Sequence, residues 1–470
     1  MLSAAELSQK LVNFSHNYFL IDMRHDRESF YALTEKDFAE NPISVCGVVL
    51  NLFMDGELEQ ADRVIDSLPK NQFFDFIRLG IVLVHPKITF KEFIGYIEYL
   101  KKNNLQMPNV VLTAGRPSVL NGFNDFTRIG PLLQKYRQLF IDDLSCLYEK
   151  STCPAIYNLC LAEYFYQLDK PFDAEVLVSK TIKEFDKDSE RRLLFAALYL
   201  QAKILIAYGK TVESESYIKN IRRYVKKTGE AEFSYNIDSA QVMTSFYEGN
   251  YALMNRWIKK SAPDEYADFN MLDLYRYMVK VRCYIIKKNY SAAVALLEKL
   301  RPLLTAGKRH MDLCELDLLL AITLYRAEKK ELAFDAFERA LKIAKRRKYY
   351  RLIGDEGPAV LPLLIEFIKQ EGKSGVSTDF LLMLLDIARS MAANHPLYLM
   401  EELKYLTPFS QKEIEILKLI EQGKSRSQIA DCFFISENTV KYHVKNIFSK
   451  LGATSVTQAL WLARVQGIIS

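Results

Sequence analysis

Five stretches of this chain share one grammar: an apolar-periodic helix, a short polar turn, then a helix opening on a compact residue. They are QLDKPFDAEVLV, IAYGKTVESESYI, FYEGNYALMNRW, IIKKNYSAAVALL and RAEKKELAFDAF, with the compact slot at Ala174, Ser214, Met254, Ala293 and Ala333. The intervals are 40, 40, 39 and 40 residues. A helix pair cannot bury its apolar face alone, so pairs stack, and a compact side chain is needed where two helices approach closely. Long runs such as RRLLFAALYLQAKILIAYG carry the 3.6-residue period, and almost no stretch alternates with period two. The pattern predicts an all-α chain dominated by a right-handed α-solenoid of helix pairs. An earlier unit sits in LFMDGELEQADRVIDSL, with Ala61 in the same slot. The 113 residues from Ala61 to Ala174 leave room for about two divergent units.

Several segments interrupt that period. TAGRPSVLNGFNDFTRIG (113–130) holds three glycines, a proline and two asparagines, which predicts an irregular loop within helical surroundings. It reads either as a long connector or as a loop that contacts a ligand or partner. The basic run Lys342, Lys345, Arg346, Arg347, Lys348 and Arg351 reads as a solvated helix face, with phosphate contact the alternative. EGKSGVST (371–378) has the composition of a flexible linker, and DFLLMLLDIARSMAAN reads as one more amphipathic helix. The expected organisation is a solenoid over 1–370, a linker and connecting helix over 371–405, and a separate domain over 406–470.

The composition bounds the function classes. A hydrophobic fraction of 49% with 26% charged residues suits a soluble protein with substantial cores, and a net charge of +5 makes the chain no polycation. Any affinity for nucleic acid must come from a local patch. Seven cysteines, scattered and never spaced C-x-x-C, read as reduced thiols of a cytoplasmic protein, and six histidines without clustered ligands give no metal site. The N-terminus carries no signal-peptide pattern, and stretches such as FIRLGIVLVH are too short to span a bilayer, so no membrane partner is expected. No activated serine or cysteine, metal spacing or phosphate loop is visible, so neither an enzyme nor a bound cofactor is expected.

The last sixty-odd residues follow different rules. FSQKEIEILKLIEQG opens with a capping box between Ser410 and Glu413 and closes at Gly423. SRSQIADCFF starts at the cap Ser425, ISENTVKYHVKNIFSKLG at the cap Ser436, and TSVTQALWLARVQG at a Thr/Ser cap. A short helix, a tight turn and a longer helix make a helix-turn-helix. At about 100° per residue, Val440, Val444, Ile447 and Leu451 fall within about 60° and form a core stripe. Asn438, Lys441, Tyr442 and Lys445 fall within about 100° on a well-separated face that offers donors to a major groove. His443 and Thr439 flank that face and can donate to phosphates. Over 406–470, eight Lys/Arg face five Asp/Glu, a local excess of +3.

The stretch GKSRSQIADCFFISENTVKYHVKNIFSKLG resembles the LuxR-type helix-turn-helix of the GerE/NarL class. That class reads G-x-S-x-x-x-I-A-x-x-L-x-[IV]-S-x-x-T-V-K-x-H-x-x-x-I-x-x-K-L. Gly423, Ser425, Ile429, Ala430, Ile435, Ser436, Thr439, Val440, Lys441, His443, Ile447, Lys450 and Leu451 match in register. The resemblance implies base-edge contacts from Lys441, Tyr442 and Lys445, phosphate contacts around Ser425, Thr439 and His443, and dimerisation through the last helix (455–466). Arg426-Ser427 stands where the class commonly has Asn-Lys, a departure at an expected phosphate contact; Arg426 is kept among the candidate DNA-contacting residues. Phe409-Ser410 replaces the usual Leu-Thr entry, and Val456 a frequent arginine.

With that tail attached, GELEQADRVIDSL, TAGRPSVLNGFNDF and YRLIGDEGPAVLPLL make the solenoid similar to the tetratricopeptide-type sensor region of MalT-like regulators. The resemblance implies a TPR-like solenoid that senses a small-molecule or peptide effector or a protein partner, joined to a reader of double-stranded DNA that acts as a homodimer. Such regulators normally carry an ATP-dependent switch domain ahead of this region. Three GK[ST] tripeptides occur here, but Ile204, Phe367 and Lys418 stand where a phosphate-cradling loop needs its first glycine. The chain reads as a naturally short regulator or as part of a longer one. A second class of function stays open on the residues alone: a protein- or peptide-binding scaffold whose C-terminal domain packs or dimerises.

Overall fold

The computed structural model describes residues 1–13, 24–105, 113, 115–147, 150, 152–185, 191–225, 231–369, 376–400, 409–451, 453, 455–465 and 469. It divides into two units, Met1–Met400 and Glu401–Ser470. The described residues form no strand beyond an isolated bridge between Asn121 and Asp125. Among them no helix is long and apolar enough to cross a membrane.

The large unit begins with α1 (Ala4–Asn13), α2 (Arg27–Tyr31), α3 (Glu35–Glu40), α4 (Ser44–Asp55), α5 (Leu58–Ser67), α6 (Gln72–Leu83), α7 (Phe90–Lys102) and α8 (Arg137–Asp142). The repeating pairs follow: α9 (Cys153–Gln167) with α10 (Pro171–Glu184), α11 (Arg191–Ala207) with α12 (Thr211–Val225), and α13 (Ala231–Tyr247) with α14 (Ala252–Lys260). Next come α15 (Leu274–Ile286) with α16 (Tyr290–Ala306) and α17 (His310–Arg326) with α18 (Lys330–Arg347). The unit closes with α19 (Tyr350–Gly354), α20 (Gly357–Ile368) and α21 (Thr378–Asn394).

The compact slot lies near the start of the second helix of each pair, and Ala174, Ser214, Met254, Ala293 and Ala333 are all buried there, as is Ala61. The turns repeat as faithfully. One residue in each is left-handed: Asp169, Gly209, Gly249, Lys288 and Glu328, with φ of 58°, 77°, 66°, 57° and 61°. The next amide donates five residues back, Lys170 to Phe165, Lys210 to Leu205, Asn250 to Ser245, Asn289 to Tyr284 and Lys329 to Leu324. This is the Schellman closure, which satisfies orphan helix carbonyls and turns the chain sharply enough for antiparallel packing. The α4–α5 pair closes the same way through Gly56 (φ 81°) and the Glu57 amide.

Between Ala61 and Ala174 the structure holds one further pair, α6 and α7, where two divergent units were expected. The remaining length is the irregular segment, 3-10 turns over Thr127–Leu132 and Asp143–Cys146, and the short α8. Its turn-forming residues remove the helical backbone a second unit would need. The segment is not a surface connector. Val119, Leu120, Phe123, Phe126 and Ile129 are buried in the main core. Arg309, itself only 1% exposed, holds its backbone: Nη1 donates to the Phe123 carbonyl (2.7 Å) and Nη2 to the Gly122 carbonyl (3.0 Å) and Asn121 Oδ1 (3.1 Å). Thr127 and Tyr349 share a hydroxyl hydrogen bond at 2.5 Å.

At the far end, Leu384, Ala388 and Met391 bury α21 in the same core. Gly354 allows the approach, since a Cβ there would stand 2.2 Å from Ile387 Cγ2. The linker stretch 371–375 lies outside the described residues.

The small unit contains α22 (Gln411–Glu421), α23 (Arg426–Phe433), α24 (Glu437–Leu451) and α25 (Val456–Val465). Capping boxes open α22 (Ser410 with Glu413) and α23 (Ser425 with Gln428). Gly423 takes φ 75° between them. Ile416, Leu417, Ile429, Ala430, Val440, Ile447, Ala459 and Ala463 form the core. Lys450 Nζ binds Glu413 at 2.6 Å, tying the end of α24 to the start of α22.

Candidate nucleic-acid interface

On α24, Val440 and Ile447 are fully buried and Val444 packs against them, so the inward stripe fixes the rotation of the helix. Asn438, Lys441, Tyr442 and Lys445 are then exposed together on the opposite side, Tyr442 at 63%. Among the described residues, none of these four side chains makes a hydrogen bond or ion pair. A face of unpaired donors above a buried apolar stripe is what a groove reader requires. The side chain of Leu451, the fourth member of the stripe, lies outside the described residues.

The flanking residues are placed differently. Thr439 and His443 are half-buried at the edge of this face. The Thr439 hydroxyl is bonded to the Ser436 hydroxyl at 2.9 Å, and the Ser436 Oγ accepts the Thr439 amide at 3.2 Å. His443 stands edge-on to Tyr442, ring centroids 6.0 Å apart. Ser425 and Arg426 are exposed on another element, the start of α23, where the Ser425 Oγ accepts the Gln428 amide at 3.3 Å. That cap leaves the Ser425 hydroxyl hydrogen free for an acceptor. Phe434, unremarked in the sequence reading, is left-handed (φ 52°) and 96% exposed in the turn between α23 and α24.

The large unit holds a separate pocket with a tyrosine-rich wall: Tyr164, Tyr166, Tyr199, Tyr275 and Tyr349. Its floor is an ionic network. Arg116 meets Asp312 (2.5 Å) and Glu315 (2.6 Å), while Arg282 binds Glu315 (2.8 Å) and Glu356. Tyr398 also donates to Glu356, at 3.0 Å. Burial alone would raise the Glu315 carboxyl, but Arg116 and Arg282 outweigh it and hold it down to about 2. The pocket-lining charges lie between Arg116 and Glu356 in sequence, and no local motif announces them. The basic run divides here: Lys345, Arg346 and Lys348 are exposed, Lys342 pairs with Glu338, and Arg347 lines the pocket. Arg351 is buried and bound to Asp355 at 2.7 Å, so it is no part of a solvated face.

Comparison with known proteins separates along the same line. Residues 172–370 match the family model of the MalT-like TPR region, and residues 407–463 that of the bacterial regulatory proteins of the luxR family. The HTH-type transcriptional regulator AlkS of Pseudomonas putida is 40% identical over 58 residues, 12% of this chain and 7% of AlkS. The HTH-type transcriptional regulator MalT of Klebsiella pneumoniae (strain 342) is 25% identical over 251 residues, 49% of this chain and 28% of MalT. MalT of Yersinia pestis (strain Pestoides F) is 25% identical over 255 residues, 50% of this chain and again 28% of the relative. The chain therefore spans less than a third of the length of these relatives. It joins a MalT-like TPR region to a helix-turn-helix domain of the bacterial luxR family of regulatory proteins.

Proposed function

We propose that the chain is a sequence-specific, DNA-binding transcription regulator and not an enzyme. The observation that carries this is the unpaired donor face of α24. Lys441, Tyr442 and Lys445 read base edges in the major groove, Asn438 supports them, and Ser425, Arg426, Thr439 and His443 face phosphates. α25, with Val456 exposed at its start, is the dimerisation element that brings two readers onto paired half-sites. The TPR-like unit acts in the cytoplasm as the sensor of an effector or partner, and its tyrosine-walled pocket is the place for a small molecule.

A gel-shift assay with the full chain and Lys441→Ala/Lys445→Ala tests the reader. Each good base contact contributes about 1–3 kcal/mol of discrimination, so the double variant loses sequence-selective binding by about tenfold or more. Its folding stability stays within about 0.5 kcal/mol, because both side chains are exposed and unpaired. Equal binding by variant and wild type, with little dependence on salt, would remove α24 as the reader.

A further inference from the structure

The pocket of the large unit has an imbalance between donors and acceptors. Most of its carboxylate oxygens are already supplied; the buried Asp355 Oδ1 is ion-paired with Arg351 but accepts no hydrogen bond. Glu163 accepts from the Ser118 hydroxyl (2.7 Å) and from the Val119 (2.8 Å) and Leu120 (3.0 Å) amides. Glu315 holds two arginines, and Glu356 holds Arg282 and the Tyr398 hydroxyl. Asp355 takes Arg351 and the Tyr166 hydroxyl (2.8 Å). Two cations facing the pocket lack a hydrogen-bonded partner, although Lys203 is ion-paired with Asp355. Lys203 Nζ makes no hydrogen bond among the described residues: Asp355 stands 3.7 Å away and the Tyr166 ring centroid 4.6 Å. Arg347 has no ion pair or hydrogen bond among them, and its charged surroundings include Arg128, Asp125 and Arg346.

Burial pushes both groups below their ordinary values, Lys203 against the pull of Asp355, and Arg347 against Tyr349 and Asp125 with the repulsion of Arg128 and Arg346 added. A cation in that position gains most from an anion that replaces lost water. An uncharged polyol needs acceptors for its own hydroxyl hydrogens as well as donors, and here most carboxylate oxygens are committed. We propose that this pocket binds a small phosphorylated molecule, its phosphate oxygens taken by Arg347 and Lys203 and its ring set against the tyrosine wall. The proposal rests on reading the large unit as the sensor.

The test is calorimetry and thermal unfolding of the full chain with inorganic phosphate, glucose 6-phosphate and glucose as probes. Variants are Arg347→Gln at the half-exposed rim, Lys203→Gln inside, and Lys345→Gln as an exposed control; circular dichroism and the unliganded Tm check folding. Glucose 6-phosphate and phosphate raise Tm, glucose does not, and the affinity for glucose 6-phosphate falls by about tenfold or more in Arg347→Gln and Lys203→Gln. Lys345→Gln leaves it unchanged. Should Lys203→Gln fail to fold, Arg347→Gln alone decides. Unchanged affinity in Arg347→Gln, glucose binding as tightly as its phosphate, or no response to either phosphate overturns the proposal. Gel shifts on the same samples report the α24 reader independently, so loss of one reading leaves the other standing.

Discussion

The two units use charge in opposite ways. In the large unit Arg116, Arg282, Arg309 and Arg351 sit in or beside the core, and each is held by carboxylates or carbonyls of residues distant in sequence. In the small unit Lys441 and Lys445 project from a helix that buries only apolar side chains beneath them. A buried guanidinium held by carboxylates or carbonyls specifies which elements meet, whereas an exposed, unpaired ammonium is available to a partner. The large unit therefore spends these four arginines on its own architecture, and the small unit keeps Lys441 and Lys445 for something outside.

The contrast can be broken at its strongest point first. Arg282→Ala leaves Glu315 with one cation and Glu356 with only the Tyr398 hydroxyl. The large unit should lose about 3–5 kcal/mol in urea unfolding while the small unit's transition stays put. A loss below about 1 kcal/mol would show that the network is dispensable. Ile447→Ala makes the reciprocal cut. Its side chain is fully buried, so the small unit loses about 2–5 kcal/mol with no change in the large one.

Glu315 gives a pH signature that the α24 face lacks. Its folded value of about 2 lies below its ordinary 4.5, so its contribution is complete above 4.5 and is lost as pH falls towards 2. The stability gap between wild type and Glu315→Gln should narrow over that window, as followed by denaturation at stepped pH; a constant gap would deny the ion pairs their role. The smallest effect belongs to a turn. Glu328→Gly relieves a left-handed residue bearing a Cβ and should stabilise the large unit by up to about 1 kcal/mol in the same assay.

The same contrast governs what was legible in the sequence. The reading face of α24 could be placed because Asn438 to Lys445 lie within one helix, where a fixed angle per residue ranks every side chain. The repeat was legible for a similar reason, since each pair reuses the slot held by Ala174, Ala293 and Ala333. Its turns were only half visible. Gly209 and Gly249 signal a left-handed residue, but Asp169, Lys288 and Glu328 reach the same geometry without glycine because packing of the pair outweighs the local cost. The charged floor of the pocket was not legible, although the irregular loop 113–130 that supplies Arg116, Ser118 and Asn121 has a ligand contact as one of its two readings from sequence. Arg282, Glu315 and Glu356 meet only after stacking, and nothing in a linear pattern says which charged residues on successive helices will face one another. The miscounted units between Ala61 and Ala174 share that cause: length alone suggested repeats, and the contacts of residues 115–130 were invisible before folding.

Those contacts set an order of events. The carbonyls of Gly122 and Phe123 are satisfied by Arg309, 187 and 186 residues further along, and the Thr127 hydroxyl by Tyr349, 222 residues away. A chain leaving the ribosome at about 5–20 residues per second makes the loop roughly ten seconds or more before its clasp exists. Until Arg309 arrives the two carbonyls lack that partner, whereas the Thr127 hydroxyl already has Asp125 Oδ1. Folding of the loop is thus coupled to the synthesis of the later repeats, and this nominally modular array is stitched into one long-range unit.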